Sequence, residues 1–173
     1  MPEVFAAGLS LFFAWLLGRA ALHKVAQRAY YLDLMLAYFS VPSVAAALWL
    51  LATATELLLA CWLLLPGLRS AGLAGTALLL AVYGAAMTWQ IYRGRTDTPC
   101  GCSGAGSALR VAPGLVIRNL LCAALALFAM YLGSTWQGWY ALLLAGGCAI
   151  VLALAYLWIE QAIANNQYMN EEV

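Results

Sequence analysis

The sequence predicts an all-α integral membrane protein, a polytopic helical bundle with about five transmembrane helices. Of its 173 residues, 66% are hydrophobic and 9% are charged, whereas about 25% of the residues of a soluble domain are charged. The hydrophobic residues form blocks close to the ~20 residues that a helix needs to cross the hydrocarbon core of a bilayer. Alternating segments of ~10 residues, typical of transmembrane β-strands, do not occur. The lipid bilayer is therefore the expected environment.

Five apolar blocks define the predicted spans. They lie near residues 4–22, 44–65, 71–91, 111–131 and 139–159. The first block is not typical of a cleaved signal peptide, because residues 1–3 carry no positive charge. The fourth block is the least regular, because Pro113, Arg118 and Asn119 lie in its first half. Since there is no internal repeat and no separate polar region, residues 1–173 are expected to form a single transmembrane domain.

The connection at residues 92–110 carries a close pair of cysteines. Residues 98–107 read TPCGCSGAGS, a composition typical of an accessible loop and not of a packed helix or strand. Gly101 relaxes the small ring that a Cys100–Cys102 disulfide would close, and a strained, exposed disulfide exchanges readily. The pair is therefore predicted to be a catalytic redox dithiol. Cys100, which follows Pro99, is expected to attack, and Cys102 to resolve.

The cysteines also allow a second interpretation, because soft thiolates bind Cu(I). A copper site would need further ligands, and the loop contains no methionine or histidine. Redox exchange is therefore favoured, with no metal predicted, and no motif supports a quinone or Cu(I) as cofactor. A non-enzymatic membrane chaperone or Cu(I)-handling protein remains the alternative function. Cys61, Cys122 and Cys148 lie in apolar spans, where a thiol behaves as a small hydrophobic group; Cys122 is the alternative second-stage thiol.

A carboxylate lies near the middle of the second predicted span. Burying Glu56 there is costly unless the side chain is protonated, paired or hydrated. Arg19 and His23 lie four residues apart on one face of the first span. Arg118 lies in the first half of the fourth span. We therefore expect Glu56 to pair with Arg19, His23 or Arg118.

These polar residues are expected to cluster beneath the cysteine loop. One role for the cluster is to stabilise the thiolate of the loop by positive charge. The other is a buried ion pair that fixes the packing of the helices and contacts no substrate. The supporting residues of the predicted site are Arg118, Asn119, Glu56, Arg19, His23 and Lys24.

The connection between the first two spans is rich in aromatic residues. Tyr30, Leu34 and Tyr38 recur at four-residue steps, which predicts an amphipathic segment in the membrane interface, with Arg28 and Asp33 directed outward. Alternatively, the segment folds over the bundle as a cap for the dithiol.

The charge distribution and the expected chemistry disagree about the side of the membrane on which the dithiol lies. With five spans, the first and third connections lie on the side of the C-terminus. Five lysine and arginine residues lie on that side and one on the other, so the positive-inside rule places the dithiol in the cytoplasm. Dithiol chemistry on exported proteins requires the opposite, oxidising face. The net charge of +1 gives no reason to expect a nucleic acid partner.

These motifs together resemble the methylamine utilisation protein MauE family, within the DoxX-like membrane proteins. The strongest likeness is the loop from Cys100 to Gly104, followed by Arg118-Asn119. Leu22-His23-Lys24, the segment 38–42 and Glu56 also fit the family pattern. Ser103 departs from the pattern, because the family often carries an aromatic residue, usually phenylalanine, at that position.

The resemblance implies a role in maturing the disulfide-rich small subunit of a periplasmic amine dehydrogenase, together with a thioredoxin-fold partner. It also implies a bundle similar to vitamin K epoxide reductase and the bacterial disulfide-bond oxidoreductases. Those proteins carry a C-x-x-C motif that is absent here, so quinone reduction is not carried over. The implied location is the bacterial inner membrane, with the dithiol loop on the periplasmic side, which the resemblance favours over the charge count.

Overall fold

The computed structural model describes residues 2–39, 41–95, 99, 109–133 and 138–171. Among these residues, five helices are long and apolar enough to cross a membrane, which confirms the predicted fold class. A shorter helix, α2, lies between the first two of them. The helices are α1 (Pro2–Ala26), α2 (Arg28–Phe39), α3 (Pro42–Leu64), α4 (Arg69–Tyr92), α5 (Pro113–Leu132) and α6 (Trp139–Glu171).

Proline lies at the start of the spanning helices α3 and α5. Pro42 and Pro113 occupy the first turns of α3 and α5, where the missing N–H of proline would have no intrahelical partner. The irregular start of the fourth predicted span is thus a helix start. Arg118 and Asn119 consequently lie in the second turn of an uninterrupted helix.

The interior helix of the bundle is α1, which packs against α3, α5 and α6, while α4 packs against α5. Over the most apolar window of α1, 56% of the residues are buried within the protein, compared with 6% for α6. The exposed apolar side chains of α6 therefore face the hydrocarbon of the bilayer, where they need no protein partner. A buried face of Ala6, Leu9, Phe13 and Leu17 lines the centre of the core.

The close turn between α3 and α4 buries an arginine. Residues Pro66–Leu68 form a short 3₁₀ turn, and Arg69 directly after it is 2% exposed. Its Nε donates a hydrogen bond to the carbonyl oxygen of Leu63 at 3.3 Å. Because the last carbonyls of a helix lack intrahelical partners, Arg69 stabilises the end of α3 where that end is buried.

The connecting helix α2 packs against α3. Tyr31 and Leu34 are its buried side chains, while Arg28 and Asp33 are exposed as the sequence predicts. Of the predicted stripe, Leu34 is buried and Tyr30 is half-buried, while the neighbouring Tyr31 is also buried.

The last helix is longer than the sequence predicts. The apolar block ends near residue 159, whereas α6 continues to Glu171 and has 33 residues. At 1.5 Å per residue it is about 50 Å long, and the hydrocarbon core is only about 30 Å thick. The residues after Glu160 form an extension of α6 at the end of the bundle where α4 ends and α5 begins.

Candidate functional site

Glu56 forms a buried ion pair with Lys24. The Nζ of Lys24 lies 2.7 Å from Oε1 and 2.9 Å from Oε2 of Glu56. Glu56 is completely buried, and Lys24 is 6% exposed. The predicted pairing of Glu56 with Arg19, His23 or Arg118 is therefore wrong. The reason is helical geometry: successive residues project about 100° apart, so the last turn of α1 directs Lys24, and not His23, toward α3.

Aromatic side chains surround this ion pair. The hydroxyl of Tyr83 on α4 donates a 2.7 Å hydrogen bond to Oε1 of Glu56. The rings of Tyr31 and Tyr83 lie 5.6 and 5.9 Å from Nζ of Lys24, within the range of cation–π attraction. The indole N–H of Trp49 donates to the backbone carbonyl of Lys24 at 3.1 Å. A buried charge pair needs such additional contacts to offset its desolvation.

Arg118 and Asn119 extend the polar region into α5. They are 4% and 3% exposed, and the guanidinium carbon of Arg118 lies 4.8 Å from the centre of the Tyr156 ring on α6. The Nδ2 of Asn119 has no hydrogen-bond partner among the described residues. A buried amide donor of this kind favours a neighbouring acceptor, such as an ordered water molecule.

A second ion pair joins α1 to α6. Nη1 of Arg19 lies 3.5 Å from Oε2 of Glu160, and its guanidinium carbon lies 5.6 Å from the centre of the Trp15 ring. His23 is half-buried and does not line the cavity described next. The structure thus brings Arg19 into the polar region and leaves His23 beside it.

A small pocket that is partly open to the outside connects these groups. Its volume is about 40 Å³, which by this measure accommodates about three water molecules. Leucine and alanine side chains of α1 and α4 form its apolar walls. Its polar lining consists of Arg19, Lys24, Glu56, Tyr83, Arg118, Asn119 and Tyr156.

The polar region carries more positive than negative charge. Arg19, Lys24 and Arg118 are cationic, whereas Glu56 and Glu160 are anionic. Such an arrangement is able to stabilise a negative charge at its edge, since charge interactions are strong where water is excluded.

Cys100 and Cys102 lie outside the described residues. Pro99, directly before them, and Leu109 and Arg110, which follow them, are described. Pro99 and Arg110 form an isolated antiparallel backbone bridge. The side-chain amide of Gln167 contacts both backbone groups of Arg110: Oε1 accepts from the N–H at 3.0 Å, and Nε2 donates to the carbonyl at 2.9 Å. Leu109 and Val111, on either side of Arg110, are buried. Arg110 is thus held both by the backbone bridge to Pro99 and by the side chain of Gln167.

The other three cysteines are free thiols within helices. Cys61 is exposed on the bundle surface, Cys148 is half-buried, and Cys122 is buried. Cys122 packs in the main hydrophobic cluster, in keeping with its interpretation as a small hydrophobic side chain. Across the described ranges, no group of three or more histidine, cysteine, aspartate or glutamate residues is placed to hold a metal ion.

Sequence reasoning missed three members of the polar region. Tyr83 and Tyr156 lie in apolar spans, where a tyrosine has no signal that separates a hydrogen-bonding role from packing. Glu160 directly follows the last apolar block, residues 139–159, and so lies just outside the predicted spans. The helical spacing from Tyr156 to Glu160 would have placed both on one face of α6.

The family comparison covers most of the chain. The model of the family described as methylamine utilisation protein MauE matches residues 2–132, a region that holds α1 to α5, the polar site and the cysteine connection. Neither the curated proteins nor the solved structures include a match to the chain. With three quarters of its residues matched, including all but one of its spanning helices, this multi-pass membrane protein belongs to the methylamine utilisation protein MauE family.

Proposed function

We propose that this MauE-family protein is a membrane thiol–disulfide oxidoreductase that uses Cys100 and Cys102. Its partner is a thioredoxin-fold protein in the periplasm. Through this partner it supports the maturation of a disulfide-rich periplasmic enzyme, such as the small subunit of an amine dehydrogenase. Membership of the family supports involvement in methylamine utilisation, and the cysteine pair supplies the chemistry.

The observation that carries this proposal is the backbone bridge between Pro99 and Arg110. It pairs Pro99 with Arg110, so Cys100 directly follows a paired residue in the sequence. Buried Leu109 and Val111 hold the far end of the connection against α4 and α5. Pro99 and Arg110, which lie on either side of the cysteines in the sequence, thus have less conformational freedom to lose when a partner binds.

The proposed reaction proceeds through a mixed disulfide. The Cys100 thiolate attacks a sulfur of the partner disulfide, which breaks the partner S–S bond and forms an intermolecular one. The Cys102 thiolate then attacks Cys100, breaks the mixed disulfide and leaves a Cys100–Cys102 disulfide. Two electrons pass to the partner, and the two protons released by the dithiol balance the two taken up by the partner thiolates. The reverse sequence oxidises the partner.

The buried polar site supports this chemistry in two ways. The Lys24–Glu56 pair and its Tyr83 hydrogen bond join α1, α3 and α4, which stabilises the bundle beneath the connection. The cationic groups Arg19 and Arg118 favour the thiolate, the reactive form of cysteine. Asn119 and His23 complete the set of supporting residues.

The test is to trap the mixed disulfide. In a background with Cys61, Cys122 and Cys148 changed to alanine, Cys102→Ser is expected to accumulate a reductant-sensitive adduct with a thioredoxin-fold protein in cells that contain the native partner. Cys100→Ser is expected to give none, because it removes the attacking thiol. Mass spectrometry of the adduct identifies the partner and the linked cysteine.

Two outcomes separate the roles of the thiols from the reaction itself. Adduct formation by Cys100→Ser alone would exchange the attacking and resolving roles. If neither single variant forms an adduct and the double variant still supports maturation of the dehydrogenase, thiol exchange is not the function.

A further inference from the structure

We propose that the extension of α6 positions the cysteine connection through Gln167. The consequence for chemistry rests on the proposed thiol exchange, whereas the positioning itself is a property of the described structure. Gln167 would be a positioning residue, because it contacts the backbone that flanks the dithiol and not the dithiol itself.

The side chain of Gln167 makes two hydrogen bonds to the backbone of Arg110. One side chain satisfies both the N–H and the carbonyl of Arg110, at 3.0 and 2.9 Å. A primary amide offers a donor and an acceptor together, so glutamine pairs with Arg110 as a neighbouring strand would. Arg110 in turn pairs with Pro99, the residue directly before Cys100. The restraint therefore involves residues on both sides of the dithiol in the sequence.

Apolar contacts hold the extension in place. Ile163 packs over Gly114 at the start of α5, where an added methyl group would lie 3.6 Å from its side-chain carbons. Ile163 and Ala164 also pack against a small hydrophobic cluster that includes Leu109 and Val111. Since residues 163, 164 and 167 lie on one face of a helix, the same face that packs also presents Gln167 to Arg110.

The extension lies outside the part of the chain that the family model matches, residues 2–132. Its contacts are therefore a feature of this chain that the family resemblance does not supply. The restraint acts on Arg110 and, through the backbone bridge, on Pro99, the residue next to Cys100 in the sequence. The geometry of a disulfide determines how readily it is reduced, so the restraint is expected to tune the exchange equilibrium of the pair.

The test compares Gln167→Leu with a matched control. Leucine keeps the approximate size of the side chain and removes both hydrogen bonds. Gln161→Leu is the control, because Gln161 lies on the same helix and, among the described residues, its Nε2 donates within that helix, to Asn165 at 3.1 Å. Both variants are made in the background with Cys61, Cys122 and Cys148 changed to alanine, in full-length protein in detergent.

Three measurements are made on each variant. Hydrogen–deuterium exchange reports the protection of the Arg110 amide. Alkylation of the reduced protein by a maleimide reports the reactivity of the two thiols. Equilibration with glutathione reports the stability of their disulfide.

Gln167→Leu is expected to speed exchange of the Arg110 amide about fivefold, the factor for one lost hydrogen bond. It is also expected to shift the glutathione equilibrium constant by a similar factor and to change the alkylation rate. Gln161→Leu should change none of the three. Unchanged amide exchange in Gln167→Leu would overturn the contact, and faster amide exchange with unchanged thiol properties would overturn the positioning role.

The proposed function and this inference are refuted by different results. If the parent protein forms no mixed disulfide with any partner while Gln167→Leu still alters alkylation and amide exchange, thiol exchange is wrong and the positioning stands.

Discussion

Lys24 and Glu56 form a buried ion pair in the interior of the protein. Two opposite charges are removed from water, and their attraction is supplemented by the Tyr83 hydroxyl and two aromatic rings. Removing one partner leaves the other charge buried and uncompensated, which costs far more than losing the pair as a whole. Loss of one member is therefore expected to lower the free energy of unfolding more than loss of both members together.

Changing either member of this pair is expected to destabilise the protein strongly. Glu56→Leu and Lys24→Met should each lower the free energy of unfolding by about 3–5 kcal/mol. The double variant should lose much less than the sum of the two, since no charge remains buried. Unfolding in detergent, followed by circular dichroism, measures the difference.

Additive effects in the double variant would show that the two side chains are not energetically coupled. Glu56→Gln separates structure from activity, because it keeps the shape of the side chain and drops its charge. Near-parental stability combined with failed dehydrogenase maturation in that variant would assign Glu56 a functional role.

Tyr83 is expected to contribute through a single hydrogen bond. Tyr83→Phe removes the hydroxyl that donates to Glu56 at 2.7 Å and keeps the ring beside Lys24. Because the acceptor is a carboxylate, the expected loss in unfolding free energy is about 1.5–3 kcal/mol. Tyr131→Phe, on a ring that is 85% exposed, is the matched control and should be neutral. Equal effects of the two substitutions would contradict this assignment.

At the scale of helices, the contact between α1 and α6 depends on a glycine. A Cβ added at Gly8 would lie 2.8 Å from Cβ and 2.9 Å from Sγ of Cys148, and 3.1 Å from the carbonyl oxygen of Ala145. The backbone of α6 approaches α1 closely there, and small residues allow such approach in membrane helices. This contact holds the first half of α6 against α1, whereas the Arg19–Glu160 ion pair joins the two helices farther along α6.

Gly8→Ala is therefore expected to weaken the packing of α6. Overpacking of a close contact costs about 1–3 kcal/mol, which exceeds the gain in helix propensity of about 1 kcal/mol. Gly18→Ala on the same helix meets nothing within 4 Å and should stabilise the protein or leave it unchanged. Thermal unfolding of both variants in detergent tests the contrast, and Cys148→Gly should partly rescue Gly8→Ala. A stabilising Gly8→Ala would refute the close contact.

For the whole molecule, the five spans place the cysteine connection and the C-terminus at the same end of the bundle. The hydrogen bonds between Arg110 and Gln167 support this arrangement independently of any count of spans. The functional proposal assigns this end to the periplasm, whereas the surplus of lysine and arginine there favours the cytoplasm. Buried Lys24 is part of that surplus, and its pairing with Glu56 gives it a structural role that weakens the charge count.

We expect the protein to be oriented in the membrane with Cys100 and Cys102 outside the cytoplasm. After mild reduction, a membrane-impermeant maleimide added to cells with a permeable outer membrane should label both cysteines in the variant that lacks Cys61, Cys122 and Cys148. A cysteine introduced at Ser70, at the other end of the bundle, should be labelled only after lysis. The opposite pattern would place the dithiol in the cytoplasm and remove the periplasmic partner from the proposal.

Much of this architecture was predictable because a bilayer imposes simple rules. Apolar blocks of about 20 residues must become helices, since lipid satisfies no backbone hydrogen bonds. The five spans, the family resemblance and the burial of Arg118, Asn119 and Glu56 follow from local sequence. The accessible dithiol remains a prediction, because Cys100 and Cys102 lie outside the described residues.

The sequence by itself determined which residues enter the membrane and which of them are polar enough to require partners. Only the tertiary structure decided the partners: Lys24 for Glu56, Glu160 for Arg19, and Gln167 for Arg110. Pairing between helices depends on their relative rotation and axial shift, which many side chains determine together through packing. A rotation of about 100° separates adjacent residues on a helix, so local sequence cannot distinguish His23 from Lys24 as the side chain that reaches Glu56.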